Sequence, residues 1–448
     1  MTWTQRLARA AALAAYGTLL RLATPAYLLR LWRRGAREPV YRQHLGERLA
    51  LYRGERPAPG ALWLHAVSLG ETRAAQPLID ALRAAQPGLR LLLTHGTATG
   101  RTAGAALLRA GDRQAWLPYD SPGAARRFLR WQRPAVGVLM ETELWPALLA
   151  EAQRSGLAMV LANARLSERS ARRGQRLAAL LHPAAERLAL VLAQTVDDAQ
   201  RLRAAGAPAV LVSGNLKFDM APSPRLLAMG HQWRQALGRP VVLGAVTREG
   251  EEAPLLAAWA ALPAPRPLLL LVPRHPQRFD EVAALVAGAG LQLQRRSAWA
   301  GGLPPAQAAT ADVWLGDSMG EMPLYYGCAD VALLGGSFAP LGGQNLIEAA
   351  ACGCPVVMGP HTFNFAQASL RSEQAGAALR VADLPAGVAA AVALAGSPQR
   401  NQAVQRALDF AAAHRGAAQT MAHEVLRLAD LDSGSSVSTG RSGLPNGG

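Results

Sequence analysis

The stretch GDSMGEMPLYYGCADVALLGGSFAPLGGQNLIEAAACGCPVVMGP, residues 316–360, decides the fold. It follows a short apolar run at 312–315 and contains a second at 330–334. A glycine-rich turn comes next, Gly335 and Gly336 and then Gly342 and Gly343. A helical segment at 345–351 and a third strand at 355–358 complete it. Strand, glycine loop, helix, strand is the order of a parallel sheet that holds a phosphate-bearing ligand at a helix N-terminus. Glycine lets the backbone come close, and the open amides of the first helical turn face an anion. Glu348, one turn into that helix, is placed to accept ribose hydroxyls. A plain βαβ crossover whose glycines only make the turn fits the same pattern.

Outward from this stretch the pattern repeats. Short apolar runs at 61–65, 89–94, 115–118, 135–140, 157–162, 188–193 and 209–212 alternate with alanine- and arginine-rich helical segments. It restarts at 241–244, 267–272, 291–294, 312–315, 330–334, 355–358 and 377–381. Runs of this kind predict parallel strands covered on both faces. Two successive doubly wound α/β units with a cleft between them are expected. They occupy 35–219 and 239–431, are joined by a Pro- and Gly-bearing linker at 220–238, and are followed by a low-complexity, disordered tail at 432–448.

The 448 residues suit two domains, and an apolar half with only 17% charged residues predicts large buried cores. The net charge is +16, and Lys217 is the only lysine among the basic residues. A diffuse basic excess favours a membrane surface, a phosphorylated substrate or nucleic acid. Nucleic acid is disfavoured, because the arginines are scattered and no recognition motif appears. Cys328, Cys352 and Cys354 are odd in number and spaced for neither disulfides nor zinc, so they read as core thiols in a reducing setting. Residues 3–34 are apolar but broken by Arg6, Arg9, Arg21 and Arg30, with Trp3, Tyr16, Tyr27 and Trp32 among them. This suits a helix lying at the cytoplasmic face of a membrane; a soluble amphipathic helix packed on the domain is the alternative.

Motifs gather at strand ends. His65–Glu71 (HAVSLGE) follows the first strand, and a carboxylate opening a helix there gains from the dipole and suits a general base, or simply caps the helix. Gly96–Gly100 (GTATG) fits an anion turn or an N-cap. Glu141 and Glu143, in METELWP, can position hydroxyls or stabilise positive charge developing at a sugar carbon. Pro146 fits the first turn of a helix. Lys217, in GNLKFD, offers a compact ammonium to an anion. In the second half, 244–252 has a phosphate-loop flavour, and Arg274 and Arg278 can hold a phosphate or carboxylate bidentately. His275 could be a general acid, but beside two arginines and two prolines it reads rather as structural or ligand-contacting. The signatures of P-loop kinases, zinc proteases and α/β-hydrolases are absent.

HAVSLGE (65–71), METELWP (140–146), NARLS (163–167), GNLKFD (214–219), PRHPQRF (273–279), GDSMGEM (316–322) and GGQNLIEAAACGCPVV (342–357) occur together and in order. In this series the chain resembles the Kdo (3-deoxy-D-manno-octulosonic acid) transferases of lipopolysaccharide core biosynthesis. The resemblance implies a GT-B glycosyltransferase fold of two Rossmann-like domains with an N-terminal membrane-associated helix at the inner membrane. It implies CMP-Kdo as donor, a tetra-acylated lipid A precursor as acceptor, inversion at the anomeric carbon, and no metal or other cofactor. By the same carry-over Glu71 is the general base, and Glu141 and Lys217 stabilise the transition state. Pro273, Arg274, Gly320, Glu321, Met322, Asn345, Leu346, Ile347 and Glu348 contact CMP. The alternatives are another GT-B transferase or an epimerase using a UDP-sugar, or a non-catalytic protein that binds anionic lipid.

Overall fold

A computed structural model describes residues 2–299 and 303–434. The chain forms two compact units, one made of the chain up to Asp219 together with the chain from Arg415 onward, the other of Met220–His414. The first unit holds strands β1 (Leu62–His65), β2 (Leu91–His95), β3 (Arg113–Trp116), β4 (Val136–Met140), β5 (Met159–Ala164), β6 (Leu190–Ala193) and β7 (Val210–Val212). The second holds β8 (Val241–Thr247), β9 (Leu268–Pro273), β10 (Leu293–Arg295), β11 (Val313–Leu315), β12 (Val331–Leu334), β13 (Val356–Met358) and β14 (Ala378–Arg380). Each of the fourteen expected strands is present, its ends displaced by no more than three residues.

In the first unit the order is β3-β2-β1-β4-β5-β6-β7, every pair parallel. Alternate residues of a strand point to opposite faces, so continuous apolar strands demand a cover on each. On one face Trp63, Leu139 and Leu161 pack with Phe128 of the helix Pro122–Gln132, the Trp63 and Phe128 rings meeting edge-on at 4.9 Å. On the other, Leu62, Leu64 and Val138 pack with Leu78 and Leu82 of the helix Leu69–Ala85 and with Met421 and Val425 of the helix Ala417–Gly434.

That last helix corrects the expected boundary. Residues 415–431 belong to the first unit, because Met421, Ala422 and Val425 complete its core and Asp219 caps the helix start. The Asp219 carboxylate accepts the Gly416 and Ala418 amides at 2.6 and 2.7 Å. Of the expected tail, 432–434 finish this helix and 435–448 lie outside the described residues.

The second unit has the order β10-β11-β9-β8-β12-β13-β14, again all parallel. Val242, Leu269, Leu271, Val313 and Leu333 pack with Trp259 and Val388 on one face. The expected linker is no linker: the helix Pro224–Leu237 packs against the helix Met322–Cys328. A Cβ on Gly230 would lie 2.1 Å from the Leu324 carbonyl, so glycine is required for the two backbones to meet. Trp233 of the same helix is fully buried beside Trp299 and Trp314, with ring centroids 5.1 and 6.1 Å away. All three cysteines are buried, as expected of core thiols.

The helix Trp3–Arg34 lies on the first unit along one face. Gly17 is buried beside Pro122, Tyr27 stacks on Tyr119 with centroids 5.8 Å apart, and Arg9 holds both oxygens of Glu186 at 2.6 and 3.0 Å. Its other face exposes Trp3, Leu7, Leu19, Leu22 and Trp32. Among the described residues no helix is long and apolar enough to cross a membrane.

Candidate active site

In an open parallel sheet, ligands bind beyond the carboxyl ends of the strands, where the order reverses direction. In the first unit that point lies between β1 and β4. Beyond β1, Ser68 caps the helix Leu69–Ala85, its Oγ accepting the Glu71 N–H at 3.4 Å. Glu71 reaches back: Oε2 accepts the Val67 N–H at 2.7 Å, and Oε1 accepts the Ser68 hydroxyl at 3.4 Å. The reciprocal cap fixes the side chain. It does not fully satisfy the acid. Burial pushes the Glu71 carboxyl up to about 7, Glu143 and Glu141 add to the shift, and the Val67 and Ser68 bonds oppose it.

The glycine motif after β2 braces this turn. The Gly96 and Thr97 amides and the Thr97 hydroxyl all donate to the Val67 carbonyl at 3.0 Å, and Thr97 caps the next helix by accepting the Gly100 N–H at 3.2 Å. A Cβ on Gly100 would sit 3.1 Å from that carbonyl, so the glycine answers to packing. Of its two readings, the N-cap is the one realised. Behind the turn, buried His65 and His95 are pulled down to about 3 and 4, mainly by burial. Their Nδ1 atoms lie 3.0 Å from the Thr94 and Ala66 carbonyls.

Beyond β4, Glu141 sits in the left-handed region at φ 57°, a costly conformation for a glutamate. Its N–H donates to the Ala162 carbonyl at 2.9 Å, its carbonyl accepts the Arg165 N–H at 3.3 Å, and Arg165 Nε meets its Oε2 at 3.1 Å. Burial also raises the Glu143 carboxyl, with Glu141 adding. Pro146 does open a helix, Pro146–Arg154, whose Ala147 and Leu148 amides donate to Asp120 at 3.1 and 2.7 Å.

Fully buried Asn163, also left-handed at φ 52°, accepts the Leu216 N–H at 3.1 Å and so pins the turn that carries Lys217. Burial lowers the Lys217 ammonium, Glu141 opposes and Arg165 adds. Glu71, Glu141, Glu143, Arg165 and Lys217 are thus one electrostatic group on one sheet edge. Of these, the sequence offers Glu143 beside Glu141 as a candidate acid and gives Arg165 no role. The NARLS motif contained Arg165, but its pairing with Glu141 is visible only once β4 and β5 are side by side.

In the second unit the reversal lies between β8 and β12. Of the expected phosphate loop at 244–252, the Arg248 amide is already taken, by Glu251, whose carboxylate also reaches the turn beyond β12. The Glu251 carboxylate accepts the Gly336 N–H at 2.7 Å, the Arg248 N–H at 2.9 Å and the Phe338 N–H at 3.3 Å. Arg278 is likewise committed, to Glu252 and Glu281 at 2.7 Å each, and does not act as an anion grip. Arg274 is exposed beside buried Pro273, its N–H bonded to the Thr247 carbonyl at 2.9 Å. Beyond β11, Gly320 is left-handed at φ 80°, and the Glu321 carboxylate holds the Ser318 hydroxyl at 2.5 Å and Arg296 at 3.1 Å. Met322 opens the helix Met322–Cys328. Beyond β12, Asn345 caps the helix Leu346–Ala351 by accepting the Ile347 N–H at 3.2 Å; Leu346 and Ile347 are buried and Glu348 half-buried. The nine residues expected to contact CMP therefore end or follow β9, β11 and β12 at the carboxyl edge of one sheet. Among the described residues no cluster of His, Cys, Asp or Glu is arranged to hold a metal.

Residues 43–220 match the sequence family described as 3-deoxy-D-manno-octulosonic-acid transferase (kdotransferase). A 3-deoxy-D-manno-octulosonic acid transferase of Bordetella pertussis is 50% identical over 90% of this chain and 96% of its own length. The chain belongs to the Kdo transferase family. A transferase of the same name from Haemophilus influenzae is 37% identical, over 78% of this Kdo transferase and 82% of the relative. Among solved structures, a glycosyltransferase from Rickettsia africae matches with a TM-score of 0.56 at 12% identity, covering 85% of this chain and all of that one. The fold of the transferase is thus the two-unit GT-B kind.

Proposed function

We propose that this Kdo transferase moves Kdo from CMP-Kdo onto a glucosamine hydroxyl of a tetra-acylated lipid A precursor, with inversion, at the cytoplasmic face of the inner membrane. The observation that carries the mechanism is Glu71, a carboxyl raised to about 7 at the carboxyl end of β1. A base with its pKa near the working pH is ionised often enough to act and basic enough to take the proton. The hydroxyl oxygen attacks the anomeric carbon, its proton passes to Glu71, and the bond to the phosphate oxygen breaks with its electron pair leaving on CMP. Glu141, held by Arg165, and Lys217 stabilise the charge that develops. Arg274 and the amides at Asn345–Glu348 stabilise the departing phosphate, with Pro273 and Gly320–Met322 seating the nucleotide. No metal or other cofactor enters this scheme.

Family membership supports the transferred sugar; the donor, acceptor and residue roles rest on the motif series. Incubation with CMP-Kdo and a tetra-acylated lipid A precursor is expected to add Kdo to the lipid, read by mass spectrometry. Release of UDP from a UDP-sugar, with none of CMP from CMP-Kdo, would overturn the donor.

A further inference from the structure

A cavity of about 310 Å³ opens between the helix Trp3–Arg34, the helix Pro146–Arg154 and the helix Ala178–Ala185 of the first unit. Four arginines line it, Arg6, Arg9, Arg154 and Arg187, against the single carboxylate of Glu186. Arg9 takes both oxygens of that carboxylate, and Arg187 Nε donates to the side-chain amide oxygen Oε1 of Gln153 at 3.1 Å. Arg154 is paired with Glu151, and Arg6 is exposed. The guanidiniums crowd one another: the Arg187 pKa is lowered, first by burial, then by Arg154 and Arg9, with Glu186 opposing. Arg154 also lines a wider neighbouring cavity of about 1240 Å³, with Arg126, Arg130 and Arg133. Both lie away from the strand ends that carry Glu71, Glu141 and Lys217.

What fills such a groove must be anionic, small at its charged end and tolerant of an apolar rim. Ala10 and Leu13 line the cavity itself, and exposed Trp3 and Leu7 lie within a turn of Arg6 on the same helix. An exposed tryptophan beside arginines and leucines suits the level of lipid headgroups. A phosphodiester offers two charged oxygens to guanidinium forks. A headgroup carrying its own cation would be repelled by four arginines, whereas a glycerol headgroup would not.

We propose that this groove binds the phosphodiester headgroup of an anionic phospholipid, its acyl chains running out past Trp3 and Leu7. The proposal rests on the membrane-surface reading given above and names the lipid class it engages. The test is co-sedimentation of the full chain with phosphatidylcholine vesicles, with and without phosphatidylglycerol. The wild type is expected to bind the phosphatidylglycerol vesicles more tightly. Arg6→Gln/Arg187→Gln should weaken that binding roughly tenfold or more, and Arg225→Gln/Arg371→Gln, an equal loss of charge at exposed sites elsewhere, much less. Glu186→Gln should tighten it, a gain that no folding defect can imitate. Equal weakening by the two double variants, or no response to Glu186→Gln, would overturn the site in favour of diffuse charge. Stabilisation by inorganic phosphate through Arg6 and Arg187, without preference for phosphatidylglycerol, would assign the groove to a soluble anion instead. Failure of the wild type to bind either vesicle would remove the membrane-surface reading itself, and the proposal with it.

Discussion

The two units place a buried or half-buried glutamate at the same topological position and use it in opposite ways. Glu71 lies beyond β1, where the first sheet reverses; Glu251 lies beyond β8, where the second does. Glu251 is 4% exposed, and three backbone N–H groups close on its carboxylate. Burial raises it, and the backbone amides oppose. Glu71 has one backbone N–H and one distant hydroxyl, and it faces Glu143 and Glu141. One carboxylate holds a loop together. The other is kept short of partners, which is the condition under which a carboxyl stays basic at neutral pH.

The contrast can be broken by exchanging each acid. The largest effect is expected for Glu71→Gln, with kcat for Kdo transfer falling by roughly 10²–10⁴-fold; near-full activity would remove Glu71 as the base. In the wild type the rate should fall as the pH drops through about 7, the Glu71 value, because the protonated carboxyl cannot accept a proton. A profile flat between pH 6 and 8 (roughly the span around that value) would contradict this.

Next comes Glu251→Ala. It leaves the Gly336, Arg248 and Phe338 amides without their acceptor and should cost the second unit about 2–4 kcal/mol. The measurement is its urea midpoint, followed through the near-ultraviolet signal of Trp233, Trp299 and Trp314. A smaller effect has the opposite sign. Glu71 is raised from the ordinary 4.5 to about 7, so the folded chain binds that proton more tightly than the unfolded chain. Its contribution is fully present below about pH 4.5, declines as pH rises to about 7, and is flat beyond. Glu71→Gln removes the decline, and at pH 8 it should gain about 1–2 kcal/mol after allowance for partial exposure. A loss at pH 8 would mean that Glu71 is structural like Glu251. The smallest effect is expected for Asp219→Ala, which uncaps the helix Ala417–Gly434 at a cost of about 1 kcal/mol to the first unit, by the same urea measurement.

Which parts were legible follows from the range of the forces involved. The strands were legible because a sheet buried on both faces needs unbroken apolar runs, and those are local. Glu71, Glu141 and Lys217 could be placed at one edge because strand ends share an edge in any parallel sheet. What failed was non-local. Arg278 read as an anion grip until Glu252 and Glu281 were found on it. Pro224 and Gly230 read as linker punctuation. Pro224 instead starts a helix, and Gly230 admits the Leu324 carbonyl. The Arg248 amide beyond β8 and the Gly336 amide beyond β12 looked open because nothing in the order of residues 244–252 shows Glu251 accepting from both.

The returning helix Ala417–Gly434 has a consequence for synthesis. A chain emerging from the ribosome completes all seven strands of the first unit, β1 to β7, with about half its length still to be made. Yet the face bearing Leu62, Leu64 and Val138 stays partly bare until Met421 and Val425 arrive. The first unit to be made is therefore the last to be finished, and it must wait, apolar side uncovered, through translation of the whole second unit.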